Sequence, residues 1–124
     1  MQWTIPGTTL PGQREDADRV DSVFESLFLA GGLTLSQVSG IAGLEPHTVQ
    51  NWVKRGFLQP PRGKRSDREQ VCRILNINLL KGALTLEQSC QLISYINGDR
   101  TAESDDLIDD TLLYFYFVRL AARA

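Results

Sequence analysis

The chain has 124 residues, 42% of them apolar, with a formal net charge of −2. That length supports one domain, with room for an appended helix, and a modest core rather than a large one. The charge is uneven: between Pro46 and Leu75 seven basic residues face two acids, a local +5 that leaves −7 for the rest. Such polarity suits a protein that offers one face to phosphates.

Residues 1–17 form an N-terminal arm. Pro6-Gly7 and Pro11-Gly12 punctuate it, so an extended segment is expected rather than a helix. Trp3 and Ile5 can dock it on the core; a DNA-contacting arm is the alternative. No basic segment followed by an apolar one is visible at the start, and Leu112 to Val118 is too short to span a bilayer. With only Cys72 and Cys90, both within helical patterns, the expectation is a reduced cytoplasmic protein, its cysteines filling core.

A helical domain is expected over residues 18–99. A first helix runs from about Asp18 to Ala30 on Val20, Val23, Phe24, Leu27 and Phe28, ended by Gly31-Gly32. Residues 34–58 read as two short helices joined by Gly43-Leu44-Glu45-Pro46. Thr34-x-x-Gln37 has the form of a capping box. Gly43 can close the first helix in a left-handed conformation, and Pro46 can open the second. The second helix carries His47, Thr48, Gln50, Asn51 and Lys54 on one side, with Val49, Trp52 and Val53 on the other.

A helix that is apolar behind and hydrogen-bonding in front suits a DNA major groove. Gln50 and Asn51 can pair with base edges, Lys54 and Arg55 with phosphates. The bland alternative is a solvated helix face. His47, the single histidine, can bond a phosphate or base edge or be an ordinary first-turn residue. Residues 59–66 make a Pro/Gly/basic loop, a wing on which Arg62, Lys64 and Arg65 are presented outward, and Arg68 adds a charge to the same side. About five phosphate contacts would give log affinity a slope of about −4 to −5 against log salt. Arg73 has a structural alternative.

Ser66-x-x-Glu69 has the form of a second capping box, opening a helix to about Lys81 with Val71, Ile74, Leu75, Asn78 and Leu79 on one flank. Thr85-x-x-Gln88 opens another to about Asn97, with Leu86, Ser89, Cys90, Ile93 and Ile96 on its stripe; Gly98 stops it. Residues 100–124 begin with Glu103, Asp105, Asp106, Asp109 and Asp110, acids that a helix dipole favours, and end with Arg119 and Arg123. In that terminal helix Leu107, Ile108, Leu112, Phe115 and Val118 form one stripe. Leu113, Tyr116, Phe117 and Leu120 widen it, so it needs cover on two sides. Either residues 104–122 pair two copies of the chain, or the helix packs over the first helix of its own chain.

The fold class expected is therefore all-α, about five helices around a helix-turn-helix, with room for a minimal two-stranded wing. Residues 34–58 resemble the helix-turn-helix of the MerR regulators. The shared features are Thr-apolar at the start, Gly-apolar at the turn, Thr48-Val49 within the second helix, and Gly56-Phe57-Leu58-x-Pro60 at its exit. Ser66 to Val71, and Leu79-x-x-Gly82-x-Leu84-Thr85-Leu86-Glu87, are similar to the third and fourth MerR helices. Over about residues 20–98 the chain more closely resembles a MerR-related family of short bacterial proteins of unassigned function. The matching core there is Asn51-Trp52-Val53-Lys54-Arg55-Gly56, Pro60-Pro61, Lys64-Arg65 and Leu80-Lys81-Gly82. Unlike MerR proteins, this chain lacks the longer wing hairpin with its aromatic-Arg pair, the long dimerising coiled coil and a metal-sensing cysteine set.

The resemblance implies a transcription factor binding double-stranded DNA. The residues themselves show no nucleophile with its base, no phosphate-cradling loop and no ligand set, so no enzyme, cofactor or metal is expected. The competing expectation is a protein-interaction module that uses the helix-turn-helix as scaffold.

Overall fold

A computed structural model describes residues 3–29, 31–61, 63–97 and 109–123. Arg62, Gly98, Glu103, Asp105, Asp106, Leu107 and Ile108, all given roles above, lie outside the described residues. The fold is all-α. Six α-helices are described: α1 (Val20–Leu27), α2 (Leu35–Ala42), α3 (Pro46–Lys54), α4 (Arg68–Leu80), α5 (Leu86–Asn97) and α6 (Asp110–Arg123).

The arm is more ordered than a plain extended segment. Strands β1 (Trp3–Thr4) and β2 (Pro11–Gly12) pair antiparallel, Trp3 opposite Gly12 and Thr4 opposite Pro11. A 3₁₀ turn over Arg14–Arg19 then leads into α1, which is shorter than the sequence suggested. The arm is tied down on three helices. Thr9 donates its N–H to Ile41 O (2.7 Å) and its hydroxyl to Gly40 O (2.7 Å) beside α2. The Asn78 amide of α4 donates to Gly7 O, and the Tyr114 hydroxyl of α6 donates to Pro6 O. These bonds give backbone carbonyls partners that water would otherwise supply, and they favour the packed arm.

Helix α4 is the central strut, with α2, α5 and α6 packed on it. Val71, Cys72, Ile74, Leu75, Asn76 and Ile77 are all buried, so its apolar surface wraps well beyond one flank. Its start differs from expectation. Asp67, not Ser66, is the N-cap: its carboxylate accepts from Gln70 N (2.9 Å), and the Gln70 side-chain oxygen accepts from Asp67 N. Asp and Ser cap about equally well, and the shift by one residue releases Glu69. The boxes at Thr34–Gln37 and Thr85–Gln88 form as expected.

The freed Glu69 carboxylate turns to the start of α6. It accepts from Asp110 N (3.1 Å), Thr111 N (3.3 Å) and the Thr111 hydroxyl. One helix thus caps another, satisfying N–H groups that have no partner inside their own helix. Arg73 and Asn76 complete the junction: Asn76 donates to Asp110 O (3.1 Å), and the Arg73 guanidinium lies 3.7 Å from the Asp110 carboxylate.

The buried stripe of α6 is also rotated from the expected one. Leu113, Tyr114 and Val118 face inward, while Leu112, Tyr116 and Leu120 remain exposed. Tyr114, absent from either predicted stripe, is fully buried edge-on to Phe24 of α1 (centroids 5.3 Å apart, 74° between planes). The helix therefore packs over α1 and α4 of its own chain, and a third face stays uncovered.

Candidate nucleic-acid interface

Two local devices set the angle of α3. Gly43 closes α2 at φ 68°, the left-handed region, and Leu44 donates its N–H back to Ser39 O (3.1 Å). Pro46 occupies the first turn of α3, and Glu45 precedes it without a side-chain cap bond. The turn is closed by backbone geometry, leaving the front of α3 unobstructed by its own capping.

The two faces of α3 separate as the sequence indicated. Val49 and Trp52 are buried in the core (6% and 3% exposed), and Val53 is half-buried. His47, Gln50, Asn51, Lys54 and Arg55 are exposed; Thr48 is half-buried at the edge.

The exit of α3 is firmly held. Phe57 donates its N–H to Trp52 O and Gly56 to Val53 O, a tight helix end. Arg73 of α4 donates Nε to Phe57 O (2.9 Å), and Gln70 donates to Pro60 O (2.9 Å). Arg73 is thus an internal strut, taking the structural alternative. Arg55 sits over the Phe57 ring, 4.7 Å from its centroid, and pairs with Glu87 of α5. It remains exposed, but with part of its charge answered.

The wing is reduced to one antiparallel bridge. Leu33 and Ser66 exchange backbone bonds of 2.9 and 2.8 Å, so the loop pairs with the segment leading into α2. Arg65 reinforces this by donating to Gly32 O (3.0 Å). At Gly32 (φ 115°) a Cβ would meet Ser66 O at 2.9 Å, so only glycine fits. Lys64 is exposed at φ 67°, next to Gly63 at φ 57°.

The predicted basic cluster is therefore partly dispersed. Lys54, Arg55, Lys64 and Arg65 are exposed in or just after the helix-turn-helix. Arg68 instead borders a shallow cleft with Asp18, Asp21, Leu112 and Arg119, at the α1–α6 side.

Sequence reading missed an apolar groove of about 450 Å³ along α3. Leu35, Val38, Val53, Leu58 and Ile74 line it, with Gln50 and Lys54 at its rim. These residues count singly as core in a periodicity argument. The groove forms only where Gln59 and Pro61 of the loop meet α2, α3 and α4, a non-local meeting that no residue pattern signals.

Titration shifts fall on α4, α5 and α6. Burial pushes the Cys72 thiol up to about 12, and it also raises Cys90. Burial raises the Glu69 carboxyl, assisted by Asp109 and Asp110 and opposed by the Thr111 bonds. None of these groups lines α3. Among the described residues no three His, Cys, Asp or Glu side chains converge on a metal position, and no helix is long and apolar enough to cross a membrane.

Residues 19–117 match the family model described as "Domain of unknown function (DUF1836)". The chain belongs to this family. The match runs from the start of α1 into α6, so the helix-turn-helix, the α4 strut and the α6 junction all belong to the family domain. No curated protein and no solved structure shows detectable similarity to the chain.

Proposed function

We propose that this DUF1836 domain is a sequence-specific DNA-binding protein, a cytoplasmic, non-enzymatic transcriptional regulator of the MerR-like kind. The observation that carries the reading is the two-faced α3: Val49 and Trp52 anchored behind, His47, Gln50, Asn51 and Lys54 free in front. A helix held this way can enter a major groove without unfolding anything. Gln50 and Asn51 are the base-reading side chains, each able to form paired bonds with an adenine edge. Lys54, Arg55, Lys64 and Arg65 are the phosphate contacts. Arg68 is left out, since its surroundings are the acids of the first helical segment.

Selection of bound fragments from random duplex DNA tests this. A shared motif lost on substituting Gln50 or Asn51 by Ala supports it; no enrichment contradicts it. A second reading, a protein-interaction module, draws on the apolar groove beside α3, which would seat an apolar segment of a partner protein. It predicts no enrichment of DNA, and loss of partner binding when Val53 is replaced by Asp.

A further inference from the structure

The outward face of α6 is self-complementary. Its exposed residues, with the preceding Asp109, are Leu112, Tyr116, Arg119, Leu120 and Arg123. At about 100° per residue all of these fall on one side of the helix. Leu112, Tyr116 and Leu120 are 55%, 55% and 47% exposed, an apolar stripe one turn apart per step. An acid stands at its start and bases at its end.

We infer that this face pairs with a second copy of the chain, antiparallel, about a two-fold axis through Tyr116. In that register Asp109 meets Arg123 of the second copy, Leu112 meets its Leu120, and the two Tyr116 rings meet each other. Asp109 and Leu112 at one end of the stripe find their complements, Arg123 and Leu120, at the other, as an isologous interface requires. The parallel arrangement is excluded by the same residues, because it sets Asp109 against Asp109 and Arg123 against Arg123. Antiparallel helix dipoles favour the same choice. Asp109 and Arg123 form no ion pair within 4 Å inside the chain among the described residues, so both charges are available. Asp109 spends one carboxylate oxygen on the α6 cap, accepting from Leu112 N (2.8 Å), and keeps the other.

One helix pair buries less than the ~1,600 Å² of a standard interface, so association belongs in the micromolar range. The inference does not depend on DNA binding, and its test uses no DNA.

Sedimentation of the full chain from about 1 to 300 µM, a range bracketing micromolar affinity, reads the result. The intact protein goes from monomer to dimer. Tyr116→Glu sets two like charges on the axis and stays monomeric with unchanged circular dichroism. Asp109→Arg and Arg123→Asp each weaken self-association at least tenfold. Their equimolar mixture restores dimerisation, because each copy now carries what the other lacks. Asp109→Asn keeps the cap, loses the charge, and weakens the dimer without lowering the melting temperature. A monomer across the whole range, a dimer indifferent to Tyr116→Glu, or a mixture no tighter than its components overturns the proposal.

Discussion

At the scale of the residue, neighbours in sequence have opposite duties. Trp52 fills the space behind α3 while Asn51 beside it meets solvent. Trp52→Ala should cost about 3–5 kcal/mol in a denaturant titration, the ordinary penalty for emptying a buried aromatic site. Asn51→Ala should change stability by less than about 0.5 kcal/mol, as exposed sites do. Arg73 looks in sequence like one more cation of the basic cluster, yet it is 12% exposed, donates to Phe57 O and stands 3.7 Å from the Asp110 carboxylate. Arg73→Met should lower stability by roughly 3 kcal/mol, because Asp110 loses its buried counter-charge, and should leave the salt dependence of DNA binding unchanged. Cys72, with its thiol pushed up to about 12 by burial, holds almost no thiolate at neutral pH. Alkylation should reach it only on unfolding, which a timed mass-spectrometric count of modified sulfurs would follow. Burial of Trp52 was legible from its spacing to Val49. The role of Arg73 was not, because charge counting cannot see which arginines turn inward.

At the scale of the element, helix starts and stops were the most legible features. Gly43 and Pro46 act through their own backbone conformation, and two capping boxes through bonds between residues three apart, which sequence order displays directly. The exception is instructive: Ser66-x-x-Glu69 and Asp67-x-x-Gln70 overlap, and both satisfy the local rule. The structure takes Asp67 because Glu69 is needed by α6, a demand that arises only once distant segments meet. Glu69 is therefore the hinge of the α4–α6 junction, and its removal has a signed pH signature. Burial raises its folded-state pKa above the ordinary value of 4.5. The folded protein thus holds this proton more tightly than the unfolded chain. The Glu69 contribution to stability is greatest below about pH 4.5 and falls as pH rises through the folded-state pKa. Glu69→Gln removes that titration. Its melting temperature, set against the parent protein's at each pH, should gain as pH rises from 4.5 through the folded-state pKa and then level off. A constant offset would mean that Glu69 titrates normally. The stripe of α6 was misassigned because that helix is apolar nearly all round, and periodicity cannot choose among three apolar faces. Tertiary packing on Phe24 and α4 made the choice.

At the scale of the whole molecule, the all-α class and the order of helices followed from periodicity and punctuation. The hairpin in the arm and the pairing of the loop with Leu33 did not, being non-local bonds carried by too few residues to leave a strand pattern. Charge is arranged more sparingly than a sum over residues 46–75 implies. Arg73 is internal, Arg68 faces the acids of the first helical segment, and Arg55 is answered by Glu87. Fewer phosphate contacts follow than the basic count suggested. With about four in play, log affinity should fall against log salt with a slope of about −3 to −4. Lys54→Ala and Lys64→Ala should each reduce that slope by about 0.9 and weaken binding to all sequences alike. The most direct test of the DNA-reading α3 is a titration of the intact chain with its selected duplex and with a scrambled one, at several salt concentrations, repeated for Gln50→Ala and Asn51→Ala. The account predicts tighter binding to the selected duplex, a preference reduced by about 1–3 kcal/mol in either variant, and a shared salt slope. Equal affinity for both duplexes, or a preference that survives both substitutions, would contradict it.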